Sequence, residues 1–160
     1  VLFRSQGTLY YYYNTKDQLL LDVTEMMLDE QMHALFSWIN DPTKDTSFHR
    51  LVMYIMKYDT MNFCQRSYLI YSAINGNETV RNLFIEKYRE FTHIISNLIA
   101  ERISGVDPNF VTWLLLLLSD GIILQKSLNN NYFNSEEFIE KCTFYAKFLE
   151  DKKNKPTNTD

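Results

Sequence analysis

Two Glu-x-x-His pairs are the first candidates for chemistry, Glu30 with His33 and Glu90 with His93. Three residues apart on a helix, a carboxylate and an imidazole share one face. Two such pairs from two helices form half of a di-iron carboxylate site, which also needs a lone Glu from each of two further helices. The segment Phe48 to Met61, the next helical stretch, contains no Glu. Glu30 and His33 share their face with Asp22, Asp29 and Ser37, and Glu90 and His93 share theirs with Glu86, Asn97 and Glu101. Both pairs are therefore expected to face water. Nucleophilic chemistry has less support still. The three His and two Cys lie near no Gly-rich turn, and neither a phosphate-cradling Gly loop nor a nucleophile elbow occurs. The expectation is a protein that is not an enzyme and carries no cofactor or metal. Cys64 and Cys142 read as core residues; without CxxC spacing they suit a reducing compartment.

The run Gln6-Gly7-Thr8-Leu9-Tyr10-Tyr11-Tyr12-Tyr13-Asn14-Thr15-Lys16 is different in kind. Four successive tyrosines on a helix point in every direction, so they divide between roles. Leu9 and Tyr13 are expected to pack inward, leaving the hydroxyls of Tyr10, Tyr11 and Tyr12 for phosphate oxygens. Lys16 opens the next helix, where its ammonium and the helix N-terminus both favour a phosphate. In order and spacing the run resembles the end of the DNA-reading domain of TetR-family transcriptional regulators: Gly, Thr, apolar, Tyr, further aromatics, then a Lys that opens a connecting helix. The resemblance implies DNA contact through Gln6, Gly7, Thr8, Tyr10, Tyr11, Tyr12 and Lys16. Gly7 would allow close approach to a base edge, and Gln6 would offer an amide to adenine. The other contacts position the protein without reading sequence.

The same resemblance sets expectations for organisation. Two helices precede this motif in the family, so residues 1–14 read as a truncated remnant of the DNA-binding domain, with Val1 to Ser5 foreign to the pattern and similar to a translated sequencing-adapter tail. Residues 15–151 read as a helical ligand-binding and dimerisation domain that begins with the connecting helix 15–40, and 152–160 as a disordered tail. The implied activity is ligand-responsive transcriptional regulation, most simply repression relieved by a small apolar or aromatic effector. The implied partners are operator DNA, the effector and a second copy of the chain. A helical ligand- or partner-binding module that never touches DNA is the alternative.

Composition and periodicity bear on the elements independently. Hydrophobic residues make up 46% of the 160 and aromatics 15%, while only 4 Gly and 3 Pro interrupt them. Apolar residues recur at spacings of three and four, which predicts an all-α protein. The net charge of −4 gives no electrostatic case for nucleic-acid binding by the chain as a whole. No signal peptide is legible, and the run Trp113 to Leu118 is too short to span a bilayer. A cytoplasmic protein without a membrane partner is expected. A short helix is predicted from Gln6 to Tyr13. Thr15 is expected to cap a helix to Asn40, and Ser47 one to Met61. Helices from Gln65 to Ile74, from an Asn77 cap to Ser104, from an Asp107-Pro108 start to Leu128, and from an Asn134 cap to Asp151 complete the order.

Two surfaces follow from the side chains those helices carry. Met53 and Met56 on the Ser47 helix, Tyr68 and Tyr71 on the next, and Trp113 are soft or aromatic. Asp120 and Gln125 are polar positions within an apolar helix. Together they suggest a ligand cavity between the Ser47 and Asp107 helices, with Trp113 as its fluorescent reporter. Asp120 would either receive a cationic ligand or bond a neighbouring Tyr or backbone group. The last two helices are expected to form the dimer interface, through Ile122 and through a stripe of Phe138, Cys142, Tyr145 and Leu149 flanked by Ile139 and Phe148. Gly121 would allow two helices to approach closely.

Overall fold

The computed structural model of the protein describes residues 11–13, 15–61 and 63–153. Gln6, Gly7, Thr8 and Tyr10 of the expected reading helix lie outside the described residues, as does the tail beyond Lys153. The described chain is all-α. Its helices are α1 (Lys16–Ile39), α2 (Phe48–Met61), α3 (Phe63–Ile74), α4 (Glu78–Arg102), α5 (Pro108–Ser127) and α6 (Ser135–Lys153). Tyr11 and Tyr12 are also helical.

Most helix ends are written in local chemistry. Thr15 Oγ1 accepts from the Gln18 amide at 3.1 Å, and Asn77 Oδ1 from that of Val80 at 3.1 Å. Asp107 Oδ1 accepts from Asn109 and Phe110 around Pro108, and Asn134 Oδ1 from Glu136 and Glu137. Each bond satisfies an orphan amide of a first turn. Asn129 closes α5 in the left-handed region at φ 50°, with the amide of Asn130 reaching Gln125 O and its own reaching Lys126 O. That is a Schellman motif built on Asn. Gly76, at φ 103°, makes the corresponding turn after α3, where the Asn77 amide reaches Ser72 O.

The end of α4 comes two residues earlier than the sequence suggests. Ile103 turns extended and buries its side chain, and Arg102 donates to Thr46 O at 2.6 Å and Leu98 O at 2.9 Å. A tertiary anchor thus ends the helix before Gly105 can. In the opposite sense, α6 continues past Asp151 to Lys153, and Lys152 Nζ lies 4.5 Å from the centre of the Phe148 ring.

The start of α2 departs further from expectation. Ser47 Oγ meets His49 Nδ1 at 3.1 Å instead of capping amides of the first turn. The cap comes from α6: the Glu150 carboxylate accepts from the Phe48 amide at 3.3 Å and the His49 amide at 3.5 Å, and meets His49 Nδ1 at 2.7 Å. A carboxylate suits the positive end of a helix. Replacing Glu150 by Ala should therefore cost about 1–2 kcal/mol, the range for a lost cap with a dipole contribution. Thermal unfolding unchanged by that substitution would contradict the assignment.

Two apolar clusters organise the packing. The larger joins Leu35 of α1, Leu51, Ile55 and Met56 of α2, Ile95 and Ile99 of α4, Leu115, Leu116 and Ile122 of α5, and Ile139 and Ala146 of α6. The smaller joins Met27 and Leu28 of α1, Leu69 and Ala73 of α3, and Val80 and Phe84 of α4. Tyr88 and Phe91 pack against both. α4 therefore spans the body, touching α1, α3 and α5. Lys87 ties it to α1 again through Asp29 Oδ1 at 2.9 Å; that hydrogen bond, ahead of any other influence, holds the Lys87 ammonium above its usual range.

Candidate sensing groove

A single charge interrupts α3, Arg66. The helix rotates it inward, where it is only 4% exposed. Its Nη1 donates to Gln31 Oε1 of α1 at 3.4 Å. Its Nη2 donates to the Tyr88 hydroxyl of α4 at 3.2 Å and lies 3.5 Å from Asp120 Oδ1 of α5. The Tyr88 hydroxyl in turn donates to both Asp120 oxygens, at 2.9 Å each. Burial, first of all, pushes the Tyr88 hydroxyl up to about 12, so it keeps its proton and its role as donor. Four helices thus meet on one guanidinium. A buried cation needs such a set of partners, because desolvation is otherwise prohibitive.

Asp120 is also the polar end of an open groove between α3, α4 and α5, with a volume of about 640 Å³. α3 contributes Ile70, Tyr71 and Ile74, α4 contributes Phe84 and Ile85, and α5 contributes Ile123 and Leu124. Tyr71, Ile74, Ile85 and Leu124 are all more than half exposed. Arg81 stands at the far end and pairs with Glu78 at 3.1 Å. An apolar trench with a few convergent polar groups, at this volume, has the character of a small-molecule site.

The structure places the sequence-derived ligand residues unevenly. Tyr71 and Asp120 line this groove. Met56 is wholly buried and Met53 packs at the edge of the larger cluster. Among the described residues, the space expected between α2 and α5 holds a gap of only about 20 Å³, lined by Tyr54, Ile55 and Tyr58 of α2, Leu116 of α5 and residues of α1 and α4. Close packing of branched side chains on the two facing helices is the reason. Tyr68 faces a separate polar cleft with Lys16, whose Nζ lies 5.8 Å from the Tyr68 ring centre. Gln125 Oε1 accepts from Asn130 Nδ2 at 2.7 Å, turned toward the loop after α5. Trp113 is about half exposed on the outer face of α5, away from the groove, so it cannot report entry directly. Asp120 has the neighbouring Tyr as its partner, in Tyr88.

Of the expected DNA contacts, Tyr11 is 82% and Tyr12 63% exposed, their rings edge to face at 5.2 Å. Lys16 is exposed at the first turn of α1. Glu30, His33, Glu90 and His93 all stand on exposed faces. Cys64, expected in the core, is exposed, because it stands opposite the buried face of α3 that carries Leu69 and Ala73; Cys142 is half-buried, and burial pushes its thiol up.

The last two helices present outward apolar faces. On α5, Phe110, Trp113, Leu114, Leu117 and Leu124 are exposed, as is its C-cap Leu128, with Gly121 open between Leu117 and Leu124. On α6 the exposed set is Phe144, Tyr145, Phe148 and Leu149. Ile122 and Ile139 instead face the core, at 1% and 3% exposure, and Phe138 and Cys142 pack at its edge. The period of the inward-facing Leu115, Leu116, Ser119, Ile122 and Ile123 decides which side of α5 remains outside. By length and composition alone, α5 is apolar enough to cross a membrane, at a mean hydropathy of 1.3 with 33% of that stretch buried. Comparison with family models, with curated proteins and with solved structures finds no match.

Proposed function

We propose that this chain is the sensing and dimerising body of a DNA-binding transcriptional regulator resembling the TetR family, released from its operator by a small apolar effector. The observation that carries this reading is the shared guanidinium. Arg66 lies beside Asp120 at the end of the groove and also holds Gln31 of α1, the helix that leads back to Lys16 and the tyrosines. An occupant that displaces Asp120 or Tyr88 alters the partners of Arg66, and through Gln31 bears on α1. Two states of α1 with different groove affinities would suffice for regulation. In a dimer joined through α5 and α6, a tilt of α1 changes the separation of two reading heads. Half-sites must lie one helical turn or a multiple apart, so a modest change costs much affinity. The outward apolar faces of α5 and α6 support the dimer, since faces of this extent mark interaction surfaces.

Selection of bound sequences from random duplex DNA, with the protein as its gene encodes it, tests the reading. The expected product is a two-fold symmetric site from which a groove ligand releases the protein; recovery of no preferred sequence would sink the reading. Within the bound complex, Tyr11→Phe and Lys16→Ala should weaken binding by similar factors on every sequence, and Lys16→Ala should reduce the salt slope by about 1. A changed sequence preference in either variant would contradict their placement on phosphates.

A further inference from the structure

We infer that the groove selects an uncharged, elongated apolar molecule whose head is a hydroxyl that donates a hydrogen bond to Asp120. This inference rests on the sensing role proposed for the groove and adds the chemical class of its occupant. The wall is apolar along Ile70, Ile74, Ile85 and Leu124, so the body of the ligand must be apolar too. Its head meets Asp120, whose side chain is 34% exposed. A carboxylate has lone pairs for about four donors. Tyr88 takes one direction on each oxygen, and Arg66 lies behind Oδ1 at 3.5 Å. Acceptor capacity therefore remains toward the groove: of its lining donors, Ser67, Arg81 and Ser127 donate to Cys64 O, Glu78 and Ile123 O, and Tyr88 donates to Asp120.

Charge decides among the possible heads. An anionic head would face the Asp120 carboxylate directly. A cationic head on Asp120 would share that carboxylate with the buried Arg66 guanidinium and be repelled by it across an apolar medium. Asp120 and Arg66 already form one opposite-charge pair, and Arg81 and Glu78 form another at the rim. A neutral donor brings no charge against Arg66 and gains a charge-assisted hydrogen bond. Lining volume fits a ring with a short alkyl tail comfortably, since sites of roughly 300–1,000 Å³ hold molecules of that size.

The test uses four probes with one body and four heads: hexylphenol, hexylbenzene, hexylbenzoate and hexylbenzylammonium. Binding to the full chain is measured by calorimetry. Hexylphenol should bind about 10-fold or more tighter than each of the others, as expected for one hydrogen bond to a charged acceptor. Leu124→Trp, at an exposed wall position, should abolish binding while the fold remains. Tyr88→Phe frees Asp120 lone pairs and should leave hexylphenol binding equal or stronger. Tightest binding by either charged probe, or equal binding of hexylbenzene, overturns the hydroxyl inference and leaves a sensing groove in place. Failure of all four probes to bind folded protein overturns the sensing role along with it.

Discussion

Replacing Asp120 by Leu should destabilise the protein by about 3–5 kcal/mol, while replacing Arg66 by Leu should cost distinctly less. The asymmetry comes from burial. Asp120→Leu takes a carboxylate away from the Arg66 guanidinium, 4% exposed, and leaves Tyr88 without its acceptor. Arg66→Leu leaves Asp120, whose side chain is 34% exposed, free to take water in the groove. The double replacement should recover most of the loss, because two apolar groups substitute for a matched pair. A loss of that size is a large share of a typical stability of about 5–15 kcal/mol. Urea unfolding at fixed protein concentration reads all three variants, since dimerisation would otherwise move the midpoint. Equal losses in both single variants would mean that the charge pair is not what holds this site.

The second large effect concerns association. Leu117→Asp combined with Tyr145→Asp should convert a dimer into a folded monomer at micromolar concentration. Leu117 is 63% and Tyr145 65% exposed on the outward faces of α5 and α6, so neither substitution disturbs the core. An obligate helical interface typically buries more than roughly 2,000 Å² in total, and one charge on each helix of each copy would have to be desolvated within it. Trp113 lies on that face and its emission should shift red on dissociation, while Trp38, stacked on Tyr54 at 4.5 Å, should not change. Ile122→Asp makes the contrast: at 1% exposure it places a charge in the core and should unfold the chain rather than divide the dimer. Sedimentation of the unaltered chain as a monomer would remove the dimer from this account.

Helix order was legible because its signals are local. Thr15, Asn77, Asp107 with Pro108, and Asn134 each cap within three residues, and Asn75-Gly76 ends α3 by backbone geometry alone. Elements fixed at long range were not. Glu150 caps α2 from the far end of the chain, and Arg102 ends α4 by reaching Thr46. The position of the groove is set at long range too. Apolar spacing says that α2 and α5 are buried but not which of their faces meet, and Ile55 and Leu116 meet closely. Arg66 carried a usable signal: a lone charge in an otherwise uncharged twelve-residue helix must either break the apolar face or be paired within it. Among its partners, Gln31, Tyr88 and Asp120 come from three other helices, and no spacing rule links them.

The most direct test of the central claim is the distance between the two copies of α1. With Cys64→Ser and Cys142→Ala in place, a spin label at Asp22→Cys, on the exposed side of α1, reports that distance by pulsed electron resonance. The account predicts one inter-subunit distance in the free protein. It predicts a shift of about 2 Å or more when the groove is saturated with whichever alkylbenzene probe binds tightest, the scale of helix displacement in switching proteins. Asp120→Leu combined with Arg66→Leu should leave the probe bound through the apolar wall but remove the shift. An unchanged distance distribution at saturation, or no inter-subunit distance at all, would contradict the claim that this groove governs a paired DNA-reading device.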